Sequence, residues 1–294
     1  MNQLFNKLNP SGNRIETLQR LLLVNVLLFL LIRITFAVSS LFNHPLLSFD
    51  VVSYWLAVPS NIGSLMHHPW TLMTYMFYHW DFFHLLFNML WLYWMGSIMV
   101  EYLGSKKLFG VYILGGLFGA LAYLISFNLF PYFHETVNQS YALGASASIL
   151  AITVATATLL PNYTIALLFL GNIPLKWIAI VSVLLDLISV TGDNAGGHIA
   201  HLGGALFGFL YIRLLQNGTN LTSWIEKVNW SGNRSASSMK VAHRGQNNDE
   251  NFNISKKAVQ EKMDEILDKI NKSGYGSLSQ VEKDFLFKMS KDDK

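Results

Sequence analysis

Six apolar segments follow one another between residues 21 and 215, and they constrain the fold more than any other feature of the chain. A helix needs about 20 mainly apolar residues to cross the hydrocarbon core of a bilayer. The chain is 52% hydrophobic and only 13% charged, whereas soluble domains are about a quarter charged. The sequence therefore predicts an all-α membrane protein, a bundle of six transmembrane helices. The predicted segments are Leu21–Phe42, Asp81–Tyr102, Leu108–Phe130, Ser146–Leu160, Leu175–Val190 and Ile199–Leu215.

The first segment has a second interpretation, as a cleaved signal peptide, since Ala37-Val38-Ser39 resembles a cleavage site. We favour a retained helix, because the polar lead of residues 1–20 is long for a signal peptide and further apolar segments follow.

Lysine and arginine residues fall on one side of the predicted membrane. The loops at 43–80, 131–145 and 191–198 contain none. Because basic residues favour cytoplasmic flanks, we expect both termini to lie inside, in a bacterial inner (plasma) membrane. Arg33, within the first segment, is an exception that the sequence does not explain. The seven residues on the inner side are Lys7, Arg14, Arg20, Lys106, Lys107, Lys176 and Arg213.

Charge density divides the chain into a membrane body and a polar tail. Residues 1–216 hold 8 basic and 7 acidic residues, and the much shorter remainder holds 13 and 11. We predict a cytoplasmic lead (1–20), a membrane domain (21–216), a linker (217–255) and a cytoplasmic helical hairpin (256–294). Ser277 or Ser279 is expected to cap the second helix of the hairpin. The hairpin is predicted to dock on the membrane body, to bind an unknown cytoplasmic partner, to self-associate, or to be a plain solvated tail. Its apolar positions are Val259, Met263, Ile266, Leu267, Ile270, Val281, Phe285, Leu286 and Met289.

The fourth segment is too short for the membrane. Between Ser146 and Pro161 it has 15 residues, or about 22 Å of helix, against a hydrocarbon core of about 30 Å. Ser146 is therefore expected to begin its helix below the outer surface. The irregular backbone before it is tolerated at that depth only against protein or a water-filled cavity.

Polar residues inside apolar segments are costly and often functional, and two of them suit nucleophilic chemistry. Ser146 begins a helix, where free backbone N–H groups and the helix dipole favour negative charge, although a serine here can also be a simple cap. His201 stands near the outer start of the sixth segment. Gly204 and Gly208 follow it, and they permit close approach to the small residues Ala147, Ala151 and Ala155 of the fourth segment. We expect this packing to bring Ser146 and His201 together.

The second segment carries two more polar side chains. His84 and Asn88 are four residues apart, so they share a helix face at the depth expected for Ser146. Both can donate hydrogen bonds, although such a pair can also simply join helices. Asp81 is expected to cap this helix. His79 is interpreted as structural and His198 as an interfacial neighbour of the base.

Several classes of function are disfavoured. No basic block is interleaved with aromatic residues, so nucleic acid is not a predicted partner. There is no cysteine, which excludes disulfides, thiolate metal sites and a cysteine nucleophile. The histidine spacings match no zinc motif, and neither a metal nor a cofactor is predicted.

From about Pro69 to Gly208 the chain resembles the rhomboid family of intramembrane serine proteases. The resemblance is carried by the run PWTLMTYMFYH at residues 69–79, by HLLFN at 84–88, by GAS at 144–146 and by AHLGG at 200–204. Each motif is short, but together, in this order and on the expected helices, they are specific.

The resemblance implies a Ser146–His201 dyad with no third acid. It also implies an oxyanion hole of His84, Asn88 and the Ser146 backbone N–H. The substrates would be transmembrane proteins, cut near the outer face through an acyl-enzyme. Two positions depart from the family pattern: Ala147 replaces a glycine after the nucleophile, and Thr71 replaces an arginine of the outer loop.

Two other functions are compatible with a helical membrane protein of this kind. A catalytically silent relative that binds membrane clients usually lacks the serine or histidine, and this chain keeps both. A transporter or proton pathway is expected to show repeats with broken helices, and we find no internal repeat.

Overall fold

The computed structural model describes residues 16–43, 46–167, 171–226, 262–266 and 268–284. The chain divides into two units, Met1–Trp230 and Ser231–Lys294. Most of the predicted lead and linker, and the hairpin positions Val259, Leu267, Phe285, Leu286 and Met289, lie outside the described residues.

Six helices of the first unit have 14 or more residues, and each coincides with one predicted apolar segment. The four longest are also apolar enough to cross a membrane, which makes this a membrane protein. The remaining two, Ser146–Leu159 and Leu175–Ile188, have 14 residues each. The six helices are α1 (Glu16–Leu41), α5 (Phe82–Leu103), α6 (Ser105–Leu129), α7 (Ser146–Leu159), α8 (Leu175–Ile188) and α9 (Ala195–Gln216).

Short elements fill the connections between the long helices. Strand β1 (Val58–Pro59) pairs antiparallel with β2 (Tyr141–Ala142), which ties the first loop to the segment just before α7. Strands β3 (Thr164–Leu167) and β4 (Gly171–Pro174) form an antiparallel ladder before α8. The short helices are α2 (Phe49–Leu56), α3 (Ile62–His67), α4 (Thr71–Thr74) and α10 (Ser223–Glu226), with 3-10 turns at Tyr75–Phe77, Pro131–Phe133 and Tyr275–Ser277.

The predicted cap of α5 is confirmed. Asp81 has an extended backbone, and its carboxylate accepts a hydrogen bond from the backbone N–H of His84 at 2.9 Å. A free N–H group in the first turn is thereby satisfied. The cap fixes the start of α5 at Phe82 and so the height of His84 along the helix.

Helix α7 lies at the centre of the first unit, and every residue from Ala147 to Ala157 is buried. Two glycines of α9 lie directly against its backbone, as the small-residue faces predicted. A β-carbon on Gly204 would overlap the carbonyl oxygen of Ala147, and one on Gly208 would overlap that of Ala151. Only glycine permits this approach, which sets the distance between the starts of α7 and α9.

Arg33, which the sequence left unexplained, lies against aromatic rings. Its guanidinium carbon is 4.7 Å from the centroid of Trp80 and 5.5 Å from that of Phe36. A cation over a ring face gains about 0.5–2 kcal/mol, depending on desolvation. This contact gives the charge a partner within α1 and joins α1 to the loop before α5.

The described part of the second unit is helical at 262–266, 268–273 and 280–284. Lys269 Nζ donates to both carboxylate oxygens of Glu282, at 2.9 and 3.0 Å. Ser279 and Glu282 bond each other's backbone N–H groups in a capping box. The helical turn at 280–284 is therefore capped by Ser279, one of the two serines proposed from the sequence.

Candidate functional site

Ser146 is held at the start of α7 by the backbone before it. Gly144 has φ +108°, and a β-carbon there would lie 2.7 Å from His84 Cε1. Glycine is therefore needed at this position both for the left-handed conformation and for space. The Gly144 N–H donates to the Tyr75 carbonyl at 2.9 Å. The Ser146 helix start is thus fixed from outside α7.

His79 contributes to the same anchoring. Its Nε2 accepts a hydrogen bond from the backbone N–H of Ala145 at 3.2 Å, and the residue is fully buried. Burial lowers the pKa of His79 to about 3, so the ring stays neutral and keeps the lone pair that accepts this bond. The contact suits the structural role expected for His79.

The structure brings Ser146 and His201 together. Their Oγ and Nε2 atoms are 2.6 Å apart, although the residues are 55 positions apart in sequence. Ser146 is the first residue of α7, and His201 lies six residues after α9 begins at Ala195. The glycine contacts of α9 with α7 bring these two positions together. A serine hydroxyl within hydrogen-bond reach of an imidazole is the arrangement that activates the oxygen as a nucleophile.

Asp186 of α8 extends the Ser146–His201 pair to a row of three side chains. This third member was not predicted from the sequence. Its Oδ1 is 2.8 Å from Nδ1 of His201. The carboxylate accepts a hydrogen bond from Nδ1–H, so the neutral ring presents an unprotonated Nε2 to Ser146. The structure thus adds an acid to the dyad implied by the family resemblance. One signal was available, because an acid within a predicted membrane segment is a functional candidate.

His198 shares the same carboxylate oxygen. Its Nδ1 is also 2.8 Å from Asp186 Oδ1. The three candidate ligand atoms of Asp186, His198 and His201 lie within 4.8 Å of one another. His198 is therefore more than a neighbour of the base, because it is a second donor to the acid that orients the base.

His84 and Asn88 lie on the wall of a cavity that also contains Ser146 and His201. The cavity has a volume of about 920 Å³. Asn88 is buried, and its side-chain nitrogen donates to the carbonyl of His84 at 2.8 Å, which leaves its second N–H for another acceptor. All four predicted site residues therefore face one cavity, bounded by α5 on one side and by Ser182, Leu185 and Asp186 of α8 on another.

The two departures from the family pattern are accommodated locally. Ala147 is 2% exposed, and its methyl group lies where Gly119 of α6 leaves room. Thr71 is buried, and its hydroxyl donates to the His68 carbonyl at 2.7 Å.

Fold and site together define a helical membrane protein with a serine–histidine–aspartate row in a cavity. A model of the rhomboid domain matches residues 66–217, which is more than half of the chain, so the chain belongs to the rhomboid family. A second model, of a family of unknown function (DUF6576), matches residues 246–292.

Curated relatives agree with this family. The chain is 29% identical over 222 residues to the human presenilin-associated rhomboid-like protein, mitochondrial, a match that covers 72% of this chain and 51% of that protein. It is 31% identical over 144 residues to the mitochondrial RHOMBOID-like protein 12 of Arabidopsis thaliana, covering 46% of this chain and 43% of that one. It is 30% identical over 73 residues to the rhomboid protease GlpG of Serratia proteamaculans, covering 25% and 26%.

The chain thus spans about half the length of the first of these relatives. Several relatives are named as mitochondrial proteins, and they give no support to the predicted bacterial inner membrane. The inward orientation of both termini stays a prediction.

Proposed function

We propose that this chain is an intramembrane serine endopeptidase that cleaves transmembrane proteins. The observation that carries the proposal is the hydrogen-bonded row of Ser146, His201 and Asp186 on the wall of a cavity. In this proposal α7 and α8 cross the membrane with the four longer helices, both termini lie inside, and cleavage occurs near the outer face. The lipid bilayer and the substrate helix are the expected partners.

In the proposed reaction, His201 transfers protons between Ser146 and the leaving amine of the peptide bond. Ser146 Oγ attacks the scissile carbonyl carbon while His201 Nε2 takes the hydroxyl proton, and Asp186 stabilises the resulting imidazolium. The tetrahedral oxyanion is held by the Ser146 backbone N–H, His84 and the free amide N–H of Asn88. On collapse, the C–N bond breaks and His201 gives its proton to the leaving amine. Water then attacks the acyl-enzyme by the same route in reverse.

Asp186 is a positioning residue in this mechanism, since it touches His201 and not the substrate. Its contribution is to hold the proton on Nδ1 and to orient the ring. Removing one oxyanion donor from such a site costs about 10²–10³ in kcat, and removing the nucleophile or the base costs far more.

The test combines labelling by a fluorophosphonate probe with cleavage of a reporter that has a single transmembrane helix. Wild type should be labelled and should cleave, and Ser146→Ala and His201→Ala should do neither. Ser148→Ala is the matched serine control, because Ser148 is fully buried and its hydroxyl has no hydrogen-bond partner among the described residues. His134→Ala, at an exposed loop position, is the histidine control.

Cleavage that survives both Ser146→Ala and His201→Ala would refute the mechanism. A wild-type protein that is never acylated but still retains membrane clients would instead be the silent, client-binding relative. The C-terminal segment is proposed to bind a cytoplasmic partner or to self-associate.

A further inference from the structure

Asp186, His198 and His201 form a compact cluster of three metal-ligand types. Both histidine Nδ1 atoms lie 2.8 Å from the same carboxylate oxygen. The two histidines are three residues apart on α9, so they share a helix face. The side chains are 24%, 22% and 10% exposed for His198, His201 and Asp186 respectively. The cluster is therefore within reach of small solutes in the cavity.

The ligand types select a class of ion. Zinc and similar transition-metal ions take imidazole nitrogen and carboxylate oxygen, often as three protein ligands with water in the fourth position. Calcium and magnesium take oxygen ligands instead. We propose that Asp186, His198 and His201 form a binding site for a zinc-class divalent ion, and that the bound ion inhibits the protein by capturing its catalytic base. The inhibition, but not the binding, rests on the proposed function.

The present distances from the two nitrogens to the shared oxygen are those of hydrogen bonds, so the side chains must move to admit an ion. Ligand atoms around tetrahedral zinc lie about 3.3 Å apart, from metal–ligand distances of about 2.0–2.2 Å. The nitrogen–oxygen separations of 2.8 Å would have to widen by about 0.5 Å.

Inhibition follows from the tautomer of His201. A metal at Nδ1 uses the lone pair of that nitrogen, so the neutral ring must carry its single proton on Nε2. The proton leaves Nδ1 for solvent and one is taken up at Nε2, so the neutral ring releases no net proton. Nε2 then becomes a donor and cannot accept the Ser146 proton. An ion bound at Nδ1 of His201 would thus prevent Nε2 from activating Ser146.

Binding is tested directly on the full-length chain in detergent micelles, purified by a tag without histidine and stripped with a chelator. Cobalt(II) is the probe, because its visible absorption reports coordination by nitrogen and oxygen, and zinc should displace it. Ser146→Ala protein should bind one equivalent as tightly as wild type. His198→Gln should weaken binding by at least about tenfold, since it removes a ligand but keeps an N–H donor for Asp186. His134→Gln should bind like wild type.

Inhibition is tested by titrating zinc into the cleavage assay, with each variant compared with its own metal-free rate. The zinc concentration that halves activity should rise at least about tenfold in His198→Gln and should not change in His134→Gln. Equal zinc sensitivity of His198→Gln and wild type, or cobalt binding that ignores His198→Gln, would overturn the proposal. Cobalt binding that depends on His198 in a chain with no peptidase activity would keep the metal site and reject the proposed function, so the two failures are distinguishable.

Discussion

Helix α9 contacts α7 and α8 in two different ways, and the row of Ser146, His201 and Asp186 depends on both. Against α7, the backbone of α9 approaches so closely that Gly204 and Gly208 leave no room for a β-carbon. Against the C-terminal half of α8, Asp186 provides the polar bridge. In α8, all of whose residues are described, Asp186 is the one buried residue after Ala179. Its neighbours Leu185 and Leu187 are more than half exposed.

The difference separates two properties of the site. Backbone packing between α7 and α9 sets the distance from Ser146 to His201, and close-packed backbones cannot shift gradually. A single carboxylate on a more exposed helix sets which nitrogen of His201 carries the proton. Geometry and protonation of the base are therefore controlled by two different helices, α7 and α8.

Among the changes to these helix contacts, the largest loss of activity is expected from Asp186→Asn, which replaces the hydrogen-bond acceptor facing His201 by a donor. An amide N–H facing Nδ1 of His201 places the proton on Nε2, which removes the base, and kcat should fall by up to about 10⁴. Asp186→Ala should be milder, since it leaves the ring free to adopt either tautomer. The measurement is kcat on the reporter substrate, with thermal unfolding as a check on the fold.

The control for this change is Asp193→Asn, which alters an exposed acid in the loop before α9 and should leave the rate unchanged. A folded Asp186→Asn protein with wild-type kcat would show that the bridge does not set the tautomer.

The next largest effect is expected at the glycine contact, from Gly204→Ala. The new methyl group meets the backbone oxygen of Ala147, so the helices must separate. Overpacking of this kind costs about 3 kcal/mol of unfolding free energy, and a shift of about 1 Å between reacting groups costs about 100-fold in rate. Thermal unfolding in detergent and kcat measure the two effects.

Gly192→Ala is the matched control, because its β-carbon would meet the nearest heavy atom, the Ser189 carbonyl oxygen, at 3.6 Å. If Gly204→Ala unfolds at the wild-type temperature and cleaves at the wild-type rate, the α7–α9 contact does not set the catalytic distance.

The smallest effect is expected from Ala147→Gly, which restores the residue usual in the family beside the nucleophile. Glycine in a helix costs about 1 kcal/mol of stability relative to alanine. The rate should stay within about fivefold, since one methyl group corresponds to about 0.8 kcal/mol. Thermal unfolding and kcat are the measurements, and a rise in kcat well beyond this range would mean that the Ala147 methyl crowds the oxyanion.

Local patterns allowed several features to be predicted correctly. Asp81 caps α5 because an acceptor side chain before an apolar run satisfies free N–H groups. Gly204 and Gly208 meet α7 because residues four apart share a face and small residues permit contact. Ser146 and His201 could be paired on these grounds, since Ser146 begins α7 and His201 lies three residues before Gly204, on the part of α9 that packs against α7.

Asp186 could not be placed in the same way. It is 15 residues from His201 and 40 from Ser146 in sequence, on a helix whose rotation no motif fixes. Its polarity was visible within an apolar segment, but its target depends on how α8 lies against α9. The second role of His198, as a donor to the same oxygen, was hidden for the same reason.

The sequence by itself determined the apolar segments, the helix caps and the residue types of the proposed nucleophile and base, because each depends on residue character and short-range periodicity. The tertiary structure alone decided that one carboxylate holds two imidazoles, and therefore which nitrogen of His201 faces Ser146. The physical reason is that a tautomer is set by a hydrogen-bond partner a few ångströms away in space, and three separate helices must pack to supply it.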